Sequence, residues 1–438
     1  MIVMKFGGTS VGNADMIRNV ASIVKSKGGR NPIVVVSALS GITDSLIALA
    51  NSAVNGGNAD SILDTIIRRH YETIGALGLD NDAIENEVRQ LRTIADGIRR
   101  IKELTPKTMD SVMSFGERMS SRIVAGYMST LGMDARAFDS YDLGLVTDSN
   151  YGDADVLASA YKTMHKKLAA CRCMPVVTGF IGKDKSGNIT TLGRGGSDYT
   201  ASIMGAAANA EEIQIWTDVN GIMTADPRVV KAAKSIAMVS YAEASELAFL
   251  GAKVLHPKTI LPAINKNIPV RILNTFNPSH KGTMVVRDIR VKNRVASIAC
   301  KKNIQVINIT TPNMFQSHGF MRKVFEVFDK HNVSVDMVST SEVSISITLD
   351  GKQKTGALVE DLSRLAHIAV MANRAKVSIV GKGVVYLPRI LVRLFSSLEG
   401  IYIEMISSST SEVNDGFVVE EKYADEAVRR LHKTFFGR

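Results

Sequence analysis

The sequence predicts an α/β chain in two parts: a domain on a mainly parallel sheet up to about residue 290, then a pair of smaller βαββαβ modules. Three observations predict it. The chain opens as apolar strand, glycine loop, amphipathic helix and second apolar strand, which is a parallel unit. Strand-like and helix-like stretches keep alternating as far as Glu212–Thr217. Beyond Val295 the elements shorten, and VDMVSTSEV at 335–343 is echoed by IEMISSSTSEV at 403–413, an imperfect internal repeat.

Taken in order, Met4-Lys5-Phe6-Gly7-Gly8-Thr9-Ser10-Val11 sets two glycines beside a lysine and hydroxyls, a phosphate-binding composition without P-loop spacing. Asn13 can cap a helix whose face is Met16, Ile17, Val20, Ile23 and Val24, ended by Gly28-Gly29. Pro32–Ser37 is then a strand covered on both sides. Its β-branched run places the first loop where a strand's C-terminal end meets a helix N-terminus, a position that attracts anions. Residues from about Ala59 to Met133 read as helical, broken at Gly78–Asn81 and Thr105-Pro106. Strand and turn signals return at Pro175–Gly182 and Ile189–Leu192, followed by a helix from Asp198 to about Asn209.

In the last third, strands are expected near 295–300, 304–310, 333–339, 343–349, 367–373, 376–380, 401–406 and 416–420. Helices are expected near 319–331, 353–365, 389–399 and 423–435. The stretch 304–373 completes one module. The stretch 376–438 lacks a strand that 295–300 can supply, so the second module is expected to use two chain segments.

With 438 residues, 45% hydrophobic and 22% charged, the chain can bury more than one core. It runs into MKFGG without a basic, then apolar, leader, and no run of about 18 apolar residues occurs, which reads as a cytoplasmic protein without membrane contact. The net charge of +10 is interleaved with acids and lacks an aromatic RNA-binding signature, so nucleic acid is not expected as a partner. Cys171, Cys173 and Cys300 form neither a disulfide framework nor zinc hooks, and read as buried or inert thiols; no protein-held metal site is expected.

Later glycine-rich turns carry charge at predicted strand-to-helix joins. Together with the opening loop, the motifs KFGGTSV (5–11), VVVSALSGITD (34–44), SFGERMSS (114–121), TTLGRGGSDYTA (190–201), WTDVNGIMTADPR (216–228) and GAKVLHP (251–257) resemble the aspartate kinase family, in that order. The resemblance implies the amino acid kinase fold, a three-layer αβα domain over residues 1–290. Two ferredoxin-like ACT domains would follow, one at 304–373 and one built from 295–300 plus 376–438. It implies transfer of the ATP γ-phosphate to the β-carboxylate of L-aspartate, giving 4-phospho-L-aspartate at the head of lysine, threonine and methionine synthesis, with Mg2+ carried by ATP.

Physical chemistry agrees with that reaction. An aspartate side chain, with a reference pKa of about 3.9, is already ionised at neutral pH and needs no general base. Charge neutralisation and in-line positioning carry the catalysis. In family terms Lys5 neutralises charge between nucleophile and phosphate, Asp198 orients it, and Gly7, Gly8 and Ser10 offer donors. Glu117 suits the substrate ammonium group and Arg194 its α-carboxylate. Ser37, Thr43 and Ser197 match positions lining the same pocket. The implied nucleotide contacts are Thr217, Asp218, Arg228 and Lys253. Met223 stands where relatives commonly carry Tyr, and its thioether could pack against adenine.

The first ACT module resembles lysine-responsive members. Met314, Ser317, Gly319, Phe320 and Met321 would meet an effector on one side, and Val335, Asp336, Thr340, Ser341 and Glu342 on the other, with Asp336 or Glu342 pairing with a side-chain ammonium. The second module is expected to be structural, completing a homodimer or a dimer of dimers through the ACT domains. Two other readings are a kinase of another amino acid or of N-acetylglutamate, and a noncatalytic amino-acid sensor.

Overall fold

Strand β1 (Ile2–Phe6) is apolar at every position but Lys5, and it pairs in parallel with β2 (Pro32–Val36) on one side and β7 (Glu212–Thr217) on the other. In this computed structural model all residues are described except 252–254, 290–293, 315–317, 385–387, 409–412 and 438. They divide into two units. The first holds Met1–Ile222, Ala237–Tyr241 and the described part of 254–288; the second holds Met223–Ile236 and the described parts of 242–253 and 289–438.

Helix α1 (Ala14–Lys25) begins as its cap predicts, with Asn13 Oδ1 accepting the Met16 N–H at 3.0 Å. It stops at Lys25, before the glycines, which instead form a 3-10 turn. Helices α2 (Ile42–Val54), α3 (Ala59–Leu77), α4 (Glu85–Ile101) and α5 (Pro106–Thr130) follow β2. The chain continues through β3 (Ala135–Phe138), α6 (Ala160–Ala170), β4 (Met174–Thr178), the hairpin β5 (Ile181–Lys183) and β6 (Ile189–Thr191), and α7 (Gly196–Ala208). After β7 come β8 (Met238–Ser240), α8 (Tyr241–Phe249), α9 (Pro257–Lys266), β9 (Val270–Asn274) and β10 (Thr283–Val286).

The first sheet runs β3-β4-β2-β1-β7-β9-β10-β8 and is parallel except where β10 meets β9. Ile2, Met4, Phe6, Val34 and Val36 share one core with α1 to α5, while α6, α7 and α9 cover the opposite face. This is the three-layer arrangement that a sheet of continuously apolar parallel strands requires.

A buried charge network fixes the roll of α5. Glu87 on α4 lies 3.3 Å from Arg118 and 3.0 Å from Arg122, and Asp139 lies 3.4 Å from Arg118 and 2.9 Å from Arg122. Burial pushes the Asp139 carboxyl up, but Arg122 outweighs it and holds the group below the usual range. Glu87→Ala leaves two arginines sharing one carboxylate in a buried site; we expect it to cost about 3 kcal/mol, read as a lower urea midpoint with unchanged slope. An unmoved midpoint would show the network to be dispensable.

The second unit is an antiparallel sheet in the order β12-β13-β11-β14-β16-β15. Its elements are β11 (Ser297–Thr310), α10 (Phe320–Lys330), β12 (Met337–Thr340), β13 (Ser344–Asp350), α11 (Gly356–Ser363), β14 (His367–Val380), α12 (Pro388–Ser397), β15 (Met405–Ser408), β16 (Asn414–Glu420) and α13 (Ala424–Phe436). Two pairs of expected strands are single long strands here. Residues 297–301 pair with 376–380 and residues 304–310 with 367–374, across a register irregularity. Asn303 and Asn373, both at positive φ, kink β11 and β14 without ending them.

Phe320, Val324, Phe328, Leu358 and Leu362 from α10 and α11 pack on Ile307, Ile309, Ile345 and Ile347. Ile390, Leu394, Val428 and Leu431 from α12 and α13 pack on Ile298, Val377, Ile379 and Phe417. Each half is therefore a ferredoxin-like βα sandwich. Residues 223–236, expected within the first domain, cluster here instead. Ala225 and Val230 enter the α12/α13 core, and the Ile298 N–H donates to the Thr224 carbonyl at 2.9 Å.

Candidate active site

Parallel strands deliver their following loops to one end of a sheet, so β1, β2 and β4 bring residues 7–10, 37–41 and 179–180 together. They form, with the start of α7, a cavity of about 430 Å3 lined by Lys5, Gly8, Ser37, Thr43, Glu117, Ser197 and Asp198 among the expected residues. The N-termini of α2 and α7 border it. Their unsatisfied N–H groups and dipoles favour an anion there.

Lys5 Nζ lies 2.7 Å from Asp198 Oδ1, with both side chains largely buried. The contact is an ion pair without hydrogen-bond alignment, since the same oxygen has no hydrogen-bond partner among the described residues. Asp198 sits in the first turn of α7, where a carboxylate is also favoured by the helix dipole. A Cβ on Gly8 would lie 3.0 Å from the Ala38 carbonyl oxygen, so the loop approaches the 37–41 segment as closely as a glycine permits.

Glu117 is 3% exposed. Its Oε1 accepts the Ala38 N–H at 3.1 Å, while Oε2 is buried with no hydrogen-bond partner among the described residues. Burial pushes its carboxyl up to about 8, against the Ala38 N–H and the Lys5 charge, which favour the ionised form. A buried acceptor lining a cavity with one oxygen unused is suited to an ammonium group.

Other expected residues stand elsewhere. Ser10 is fully buried and its hydroxyl is committed to Thr275 Oγ1 at 2.7 Å, so its side chain braces the loop from beneath. The Gly7 N–H is used by the Trp216 carbonyl at 3.3 Å. Arg194 is exposed between Gly193 and Gly195, both at positive φ, and is not among the lining residues. Thr217, the last residue of β7, and Asp218 just after it are joined side chain to side chain at 3.1 Å in the first unit. Met223 and Arg228 belong to the second unit; the Ser235 hydroxyl approaches the Met223 sulfur at 3.4 Å and Arg228 pairs with Asp226 at 2.6 Å. Lys253 lies outside the described residues.

Sequence reasoning missed Thr9, Asp44 and Phe180 as lining residues. Thr9 lay inside the quoted loop. Phe180 takes φ 67, rare for a bulky side chain, and no local signal announces it.

In the effector region, Gly319 (φ 81) precedes α10, Phe320 enters the core, Met321 is exposed and Met314 is half-buried. Asp336 does not stand free: Lys301 Nζ lies 2.6 Å from its Oδ2. Val335 is half-buried before β12, Thr340 and Glu342 are exposed, and the Ser341 hydroxyl bonds Ser344 in the turn between β12 and β13. Ser317 lies outside the described residues.

No group of three or more His, Cys, Asp or Glu able to hold a metal occurs among the described residues. Nor is any helix among them long and apolar enough to cross a membrane.

The amino acid kinase family matches residues 1–274, and an ACT domain matches 307–360 and 377–435. The chain is 39% identical to "Aspartokinase 1, chloroplastic" of Arabidopsis thaliana, over 99% of this chain and 80% of that protein. It is 35% identical to "Lysine-sensitive aspartokinase 3" of Escherichia coli over 100% and 99% of the two. Among solved structures, E. coli aspartokinase III in complex with aspartate and ADP superposes with a TM-score of 0.85 at 34% identity, covering 100% of both chains.

Proposed function

The chain belongs to the aspartokinases, within the amino acid kinase family, and from that membership we propose that it transfers the ATP γ-phosphate to the β-carboxylate of L-aspartate under feedback control through its ACT modules. The observation that carries this reading is that one cavity holds both the Lys5–Asp198 ion pair and a Glu117 oxygen without a partner among the described residues. It is cationic where two anions must meet and anionic where an amino acid presents its ammonium group.

Glu117 receives the α-ammonium and is driven to its ionised form by it. Arg194, at the exposed turn before α7, supplies the cation for the α-carboxylate, and Ser37, Thr43 and Ser197 fix the remaining polar edges. Lys5 lies between the nucleophilic carboxylate and the phosphate and lowers their repulsion, while Asp198 holds its ammonium in place. The glycine loop gives backbone approach, with Gly7 and Ser10 shaping it from within. Thr217, Asp218, Met223, Arg228 and Lys253 are assigned to the nucleotide.

Mg2+ offsets phosphate charge and would be held mainly by the nucleotide, with Asp198 the carboxylate beside Lys5 that fits it. The catalytic domain is taken as 1–290, with ACT modules at 304–373 and at 295–300 plus 376–438. They join a homodimer or a dimer of dimers in the cytoplasm.

The effector is assigned as lysine, through Met314–Met321 and Val335–Glu342. Because Asp336 already holds Lys301, lysine binding there would exchange one ammonium for another.

The test is a coupled ADP-release assay across acceptors, titrated with lysine, threonine and methionine. We expect turnover with L-aspartate and inhibition by lysine. Rapid turnover with N-acetylglutamate and none with aspartate would reject the kinase assignment, and inhibition by threonine alone would reject the effector assignment.

A further inference from the structure

A second cavity, of about 620 Å3, opens at the opposite ends of the same strands. Met1 precedes β1, Pro32 and Ile33 begin β2, and Met174 and Pro175 begin β4, so it lies at the N-terminal edge of the sheet. Cys171 and Cys173 line it, half-buried, with their sulfurs 3.5 Å apart. The sequence alone made them inert. In the fold they are a touching dithiol facing a cavity whose lining also includes Met1, Met133 and Met174.

We propose that this cavity binds one soft, thiophilic monovalent cation of the Cu(I) class between Cys171 and Cys173, with a neighbouring methionine as a further sulfur donor. A sulfur separation of 3.5 Å lies within the span of two sulfurs each about 2.3 Å from a common ion. Donor chemistry selects the ion. Among the described residues the lining contains no Asp or Glu, and Lys25 and Arg172 make it positive, which disfavours hard divalent cations. The same two cations offset the net negative charge that two thiolates and one monovalent ion carry.

Each thiol that binds releases one proton to solvent, and no electron is exchanged.

The test uses reduced full-length protein, held anaerobically, against the coloured Cu(I) complex of bicinchoninate. The wild type is expected to withdraw one equivalent, Cys300→Ser to do the same, and the double variant Cys171→Ser/Cys173→Ser none. A measurement on the wild type alone guards against misfolding of the double variant: Cu(I) should slow iodoacetamide labelling of Cys171 and Cys173 and leave Cys300 unchanged, read by peptide mass spectrometry. Failure of the wild type to withdraw copper, equal withdrawal by the double variant, or protection confined to Cys300 would each overturn the site.

Discussion

Lys5→Ala is expected to lower aspartate turnover by about a thousandfold while changing ADP affinity by less than about tenfold. The asymmetry follows from where the charge sits. Lys5 is on a central strand with its ammonium 2.7 Å from Asp198, inside a largely buried site where one charge acts far more strongly than in water. In the proposed site nucleotide binding would draw on many contacts, whereas the meeting of a carboxylate with a phosphate would draw on this one. Removing the lysine leaves Asp198 uncompensated beside two approaching anions, so part of the loss is added repulsion. It also removes a charge that favours ionised Glu117, so the KM for aspartate should rise as well. Stopped assays for kcat and calorimetry with ADP separate these effects. Equal loss in turnover and ADP affinity would make Lys5 a general anchor for nucleotide.

Much of the architecture was legible because its causes are local. An apolar run ending in a glycine loop specifies a buried parallel strand, and Asn13 does cap α1. The active-site glycine loop and the α7 turn could be placed because both sit at strand-to-helix joins. What was not legible depends on atoms far apart in sequence. Ser10 looked like a donor to phosphate, but Thr275, remote in the chain, takes its hydroxyl. Asp336 looked free until β11 set Lys301 beside it. The bulges at Asn303 and Asn373 read as strand ends because a polar residue with left-handed tolerance looks the same in a turn and in a kinked strand. Phe180 could not be found at all, since its backbone is held by Thr200 and Leu192 from other elements.

Glu117→Gln should weaken aspartate and strengthen the fold at the same position. The amide cannot form the charge-assisted contact to the substrate ammonium, and we expect the KM for aspartate to rise by about a hundredfold. Stability moves the other way because the wild-type carboxyl is raised from 4.5 to about 8 by burial. A folded state that holds its proton more tightly than the unfolded chain gains from that proton below about pH 4.5 and loses the gain as pH climbs through about 8. The glutamine variant carries no such slope. Its melting temperature should therefore exceed that of the wild type by more at pH 8 than at pH 5.

The same raised group predicts the wild-type kinetics. If aspartate binds the ionised form, as proposed, its KM should fall between pH 6 and 8 by up to about tenfold per pH unit and then level off. Melting differences that are equal at both pH values, together with a KM insensitive to pH, would mean that Glu117 is ionised throughout and that its second oxygen has a partner in solution. A buried carboxylate left half unpaired is costly to the folded chain, and in the proposed site an arriving ammonium would offset that cost.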